Sequence, residues 1–158
     1  MNFRHKISHR IFLTISLILG LIVFFLIYAG AFNKEELSEA QFLYVGGTQF
    51  TVDVASTNAD RAKGLSGRED LAPGHGLLFA FAQEGFYSFW MKDMNFPIDI
   101  VWIDSDWVVR DITQNIAPES FPASYRSFVP IQYVLEVNAW GASDIEIGDV
   151  VSFSKKAR

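Results

Sequence analysis

No cysteine occurs among the 158 residues. Disulfides and thiolate chemistry are therefore closed to this chain, and any domain it forms is held by packing. Histidine is scarce too. His5 and His9 precede the hydrophobic stretch, and only His75 lies beyond it. One imidazole in a Gly/Pro loop with no neighbouring ligand makes no metal site, because zinc takes three or four protein donors. No cofactor motif is present. Gly64-Leu65-Ser66-Gly67-Arg68 has neither the spacing of a phosphate-cradling loop nor that of a nucleophile elbow. Positive charge is short where polyanions would need it. Residues 33–158 carry ten Lys and Arg against eighteen Asp and Glu, a net of −8. Such a domain does not suit nucleic acid as a partner.

Acids, in turn, are missing from the first 34 residues. Residues 1–10 carry Arg4, Lys6 and Arg10, and residues 11–32, IFLTISLILGLIVFFLIYAGAF, carry no charge. At about 1.5 Å per residue this run makes a helix of roughly 33 Å, enough to cross a hydrocarbon core of about 30 Å. A basic front edge stays in the cytoplasm, so the C-terminal part is expected on the far side. The segment is either an uncleaved anchor or a signal peptide cut after Ala31, where Ala29-Gly30-Ala31 fits the small-x-small rule. Its length favours the anchor, since signal-peptide cores run about 7 to 15 residues. The expected organisation is a basic cytoplasmic segment (1–10), a membrane anchor or signal (11–32), a polar spacer (33–42) and a soluble β domain (43–158). The expected address is the inner membrane of a bacterium with the domain on the periplasmic side. The alternative is release into the periplasm after cleavage.

Within the domain, apolar residues alternate rather than recur at helical spacing. Thr48–Val54 places Phe50, Val52 and Val54 on one face and Gln49, Thr51 and Asp53 on the other, as a half-buried strand does. Thr57–Leu65 reads as a short helix ended by Gly64 or Gly67. Leu77–Phe81, Phe86–Lys92, Ile98–Ile103, Trp107–Ile112, Tyr133–Asn138 and Val150–Phe153 read as strands. Asp104-Ser105-Asp106 is the turn of a hairpin, and Asn115–Val129, with Pro118 and Pro122, is a long loop. This pattern predicts a mainly β, mainly antiparallel small barrel or sandwich with one short helix, preceded by one hydrophobic N-terminal helix.

Two carboxylates interrupt apolar strands. Asp99 lies in Ile98–Ile103 beside Val101 and Ile103, and Glu136 lies in Tyr133–Asn138 beside Val134 and Asn138. Buried as ions, each would need a cation or several donors, and Arg68 and Lys92 are the candidates. They form either a structural ion pair or a polar spot at a barrel mouth. Paired carboxylates could also work as acid and base on a glycosidic bond. Trp90, on one face with Lys92, suits stacking on a sugar ring or a cation, and core packing accounts equally for such aromatics.

Several segments then fall in register with a known family. They are Arg61–Arg68, Gly76–Phe81, Phe89–Met94 (FWMKDM), Pro97–Ile100 (PIDI), Tyr133–Ala139 (YVLEVNA) and Gly148-Asp149. In order and spacing, over about residues 43–154, they resemble the uncharacterised bacterial and archaeal family called domain of unknown function 192. The resemblance implies a compact β-barrel-like domain, often behind a signal or anchor. It brings no established reaction and no catalytic residues. The chain departs from the usual pattern at Leu77, where Met is common, and at Trp140, inserted before Gly141. Trp140 is therefore expected to enlarge or cap an opening at that corner.

Together these observations predict a non-catalytic envelope protein that binds a ligand or partner, such as an envelope saccharide or protein, and needs no cofactor or metal. Arg68, Lys92, Asp99, Glu136 and Asn138 are the expected polar site, and Trp90 and Trp140 the stacking surface. The competing expectation is an envelope glycoside hydrolase acting through Asp99 and Glu136.

Overall fold

The structure, a computed structural model, describes residues 42–154. The basic segment 1–10, the hydrophobic run 11–32, the spacer up to residue 41 and residues 155–158 lie outside the described residues. Among the described residues, no helix is long and apolar enough to cross a membrane.

The chain runs through β1 (Phe42–Val45), β2 (Thr48–Ala55), α1 (Asn58–Lys63), β3 (His75–Gly85), β4 (Phe89–Trp90), β5 (Ile98–Ile103), β6 (Val109–Ile116), β7 (Ser124–Tyr125), β8 (Ile131–Asn138) and β9 (Ser152–Ser154). Seven strands form one curled half-barrel sheet in the order β6-β5-β8-β3-β2-β1-β9. The two-residue strands β4 and β7 pair separately as a ribbon. Within the large sheet only β2 and β3 pair in parallel. That pair needs a crossover, and α1 with its following loop supplies it. At the sheet's ends Val108 bridges Val150. Hydrogen bonds from Val109 N to Asp149 O (2.9 Å) and from Val151 N to Trp107 O (2.7 Å) extend that contact.

Local chemistry explains the connections. Thr57 caps α1 by accepting from Asp60 N, and Gly64 ends the helix at φ 52°. Arg61 reaches from the helix to the carbonyls of Ser56 and Ala80 and lies 5.2 Å over the Phe81 ring, so it fastens α1 to β3. Asp104 makes the β5–β6 turn by accepting from the amides of Asp106 and Val108.

Side chains opposite one another across a ladder share a face. One face of the sheet carries Leu43, Phe50, Val52, Leu78, Val101, Ile103, Tyr133, Leu135 and Val137, all buried. The other carries Leu77, Phe79, Ile98, Ile100, Trp102 and Val134, against which Leu65, Leu71 and Met91 pack. Both faces of β5 and most of β8 are thus covered, as their unbroken apolar runs require.

Several details differ from the sequence expectation. β1 begins at Phe42, at the end of the expected spacer. β3 continues to Gly85. The expected strand Phe86–Lys92 shrinks to Phe89–Trp90. Its rings pack instead of joining the main ladder: Tyr87 stacks on Phe81, and Phe89 meets Phe79 and Trp102 edge-on at 4.8 and 5.5 Å. The expected loop Asn115–Val129 contains the end of β6, a 3-10 turn at Pro118–Ser120 and β7.

Candidate functional site

β8 lies between β3 and β5, and its register sets Glu136 opposite Leu77 on one side and Ile100 on the other. Its neighbours in the ladder therefore offer no polar group. Glu136 is only 5 % exposed. Its carboxyl has no hydrogen-bond or ion-pair partner among the described residues. Burial removes the water that would stabilise the anion and pushes its pKa up to about 8. At neutral pH the group is mostly a carboxylic acid.

Above it lies a cavity of about 260 Å³. Glu136 forms part of its wall with Phe79 and Phe81 of β3, Tyr87 to Trp90 of the aromatic segment, Met94, and Arg61 to Ser66 of α1 and the turn that follows. Most donors in this wall are already engaged with the protein. Tyr87 donates its hydroxyl to Gln83 O (2.7 Å), and Ser66 donates to Lys92 O (2.8 Å). Arg61 is held by Ser56 O and Ala80 O. The side chains of Lys63, Ser88 and Trp90 stand at exposed positions of the rim.

Asp99 sits elsewhere. In register it faces Val137, so it projects from the sheet face opposite to that of Glu136. It is fully buried and accepts from Asn115 N (2.7 Å) and Ala142 N (3.0 Å). This carboxylate pins the irregularity at Asn115 (φ 54°), near the end of β6, to the turn after β8. The expected pairing of Asp99 with Glu136, and with it the hydrolase built on that pair, is contradicted. An acid and a base on opposite faces of one sheet cannot flank one bond.

The expected cations do not meet these acids either. Arg68 pairs with Asp53 on β2 at 3.1 Å, and both side chains are well exposed. Lys92 is exposed and contributes its backbone carbonyl to Ser66. Asn138 donates to Leu71 O (2.6 Å) and ties down the loop ahead of β3. Trp140 is 65 % exposed at φ 68° and is not among the residues around the cavity, so it caps no opening there. Of the seven expected site residues, Trp90 and Glu136 alone share the cavity.

The motif blocks have a structural explanation in part. Ser66 Oγ donates to Lys92 O, Gly67 N to Asp93 O (2.8 Å) and Asn95 Nδ2 to Arg68 O (2.7 Å). These bonds zip the Leu65–Arg68 turn to the segment after β4, which closes one side of the cavity. The cavity residues Phe79, Phe81 and Leu65 went unremarked as site residues because they resemble any core position. Only their place around the cavity beside Glu136 distinguishes them.

Among the described residues no group of three His, Asp or Glu side chains could hold a metal ion. The wall offers one carboxyl and no imidazole among its aromatic side chains.

None of the curated proteins compared with the chain matches it. Crystal structures similar to it include the following two. One, from Sinorhizobium meliloti 1021, bears the description "putative transcription regulator". It is 33 % identical, with a TM-score of 0.66, over 71 % of this chain and 90 % of that one. The other, a protein of unknown function from Novosphingobium aromaticivorans DSM 12444, is 30 % identical, with a TM-score of 0.67, over 70 % of this chain and 83 % of that one. A family model described as uncharacterized ACR matches residues 42–153. The chain belongs to that family, domain of unknown function 192.

Proposed function

We propose that this chain is a non-catalytic binding protein of the cell envelope, whose domain takes a small, largely apolar ligand in the cavity over Glu136. The observation that carries this is a carboxyl on a largely buried residue, without a protein partner, in the wall of a ready-made cavity. Burial disfavours its charged form, and a ligand donor in the cavity would give it a partner. Aromatic walls with one convergent polar group are typical of small-molecule sites.

The hydrophobic run Ile11 to Phe32 supports tethering to the inner membrane, with the domain beyond it, or export after cleavage. The contact of Val108 with Val150 supports counting the half-barrel as a small barrel. The name of the Sinorhizobium structure suggests regulation of transcription. The net −8 of residues 33–158 argues against direct contact with DNA. A partner-docking role draws on the exposed rings of Trp90 and Phe121, 6.0 Å apart, and on Phe128 at 92 % exposure.

A thermal-shift screen of the full chain in detergent, with a fragment collection spanning amines, alcohols, acids and sugars, tests the binding role. Ala62 borders the cavity from an exposed helix position, so Ala62→Trp serves as a plug. Hits that stabilise the native chain and lose effect in the plugged variant are expected. A screen in which no fragment distinguishes the two proteins refutes the role.

A further inference from the structure

We propose that the ligand class is a small organic cation: a protonated amine on a short apolar body, its ammonium paired with the Glu136 carboxylate and its stem against the aromatic side chains of the wall. This rests on the binding role above and names the ligand for that site.

The first support is the direction of the hydrogen bonds. Tyr87, Ser66 and Arg61 already donate to Gln83, Lys92, Ser56 and Ala80. What the deep part of the cavity still offers is the Glu136 carboxyl, which has no protein partner and accepts from a ligand's donor once its own proton has left. The second is charge. Arg61 and Lys63 of α1 and Tyr87 are the titratable groups that share the cavity wall with Glu136. β5 presents Ile98, Ile100 and Trp102 on this face, and β3 presents Leu77 and Phe79. Asp53, beyond Leu77 on β2, is matched by Arg68. No ion pair reaches Glu136 among the described residues: of the two cations in the wall, Arg61 is held by the carbonyls of Ser56 and Ala80 and Lys63 stands at an exposed position. The third is the wall itself. Phe79, Phe81, Tyr87, Phe89 and Trp90 border the space and suit an apolar stem, and the Phe81 ring already stacks on Tyr87 and carries the Arg61 guanidinium 5.2 Å from its centroid.

Size narrows the class. An engineered cavity of about 150 Å³ holds benzene, so about 260 Å³ accommodates roughly ten non-hydrogen atoms. Binding also moves a proton. The empty site holds a carboxylic acid, because burial raises its pKa to about 8. Pairing turns Glu–COOH and R–NH₃⁺ into Glu–COO⁻···⁺H₃N–R and releases one H⁺ to solvent. Affinity then rises about tenfold per pH unit up to pH 8 and levels off above it.

Calorimetric titration of the full chain in detergent with 2-phenylethylamine, 2-phenylethanol and phenylacetate at pH 6, 7 and 8 tests this. Repeating pH 7 in phosphate and in HEPES counts released protons through their different ionisation heats. The amine is expected to bind best, to gain affinity with pH and to release close to one proton. Glu136→Gln should weaken the amine at least tenfold and abolish its pH dependence while sparing the alcohol. Glutamine is neutral, as the native carboxyl is at pH 7, so the variant is expected to fold. An alcohol or acid that binds as tightly as the amine at pH 8, or a flat pH profile, overturns the cation while leaving the binding role standing. Silence from all three compounds overturns the cation as well, and the plug-sensitive screen then decides the binding role independently.

Discussion

Asp99 and Glu136 look alike in the sequence, each an acid among β-branched and aliphatic neighbours. Their surroundings separate them. Asp99 has two backbone amides to accept from, and Glu136 has none. Asp99→Ala leaves the amides of Asn115 and Ala142 unsatisfied, and a loss of about 2–5 kcal/mol is expected in urea unfolding. Glu136→Leu removes an unpartnered polar group and is expected to raise stability by about 1–3 kcal/mol in the same assay, at the expense of binding. The pH dependence has a definite sign. The folded pKa of Glu136, about 8, lies above its ordinary 4.5, so the native state holds an extra proton between those values. Its contribution to stability is greatest below pH 4.5 and declines as pH rises through 8, with a limiting slope of about 1.4 kcal/mol per pH unit. Subtracting the Glu136→Gln stability curve from the wild-type curve should isolate that slope. A flat difference would mean that the carboxyl finds a partner in solution.

At the scale of elements, α1 is six residues long, too short to persist alone, and it is held by its cap and by Arg61. Thr57→Ala is expected to cost about 1 kcal/mol, read from the thermal midpoint, and to loosen the cavity wall that α1 supplies. On β3, a Cβ at Gly76 would lie 2.9 Å from Leu135 Cδ1 and 3.0 Å from Glu136 O. One of those neighbours is backbone in the central ladder and cannot step aside. Gly76→Ala should therefore cost about 1–3 kcal/mol and disturb the strand that carries the site. Strands with clean alternation or unbroken apolar runs, such as β2, β5 and β8, were legible because burial imposes those patterns. β4 and β7 were not, because two-residue ladders leave no period to detect. The aromatic segment before β4 was misjudged as a long strand because its alternation serves ring packing.

For the whole molecule, the hydrophobic run 11–32 predicts that the native protein stays with membranes through an alkaline carbonate wash and keeps its N-terminal segment. A mature N-terminus at Phe32 in a soluble fraction would replace the anchor with a cleaved signal. The missing cysteines predict unfolding midpoints that do not move on adding reductant. The sequence by itself determined composition-level facts and local pattern: an acidic cysteine-free domain, a mainly β class, one capped helix, the hairpin at Asp104 and the family. Those depend on neighbours in the chain, where period and turn chemistry operate. Only the tertiary structure decided which acid is satisfied and which is left open. That depends on strand register, because one residue's shift along a strand reverses the face and exchanges Asp99's backbone amides for Glu136's cavity.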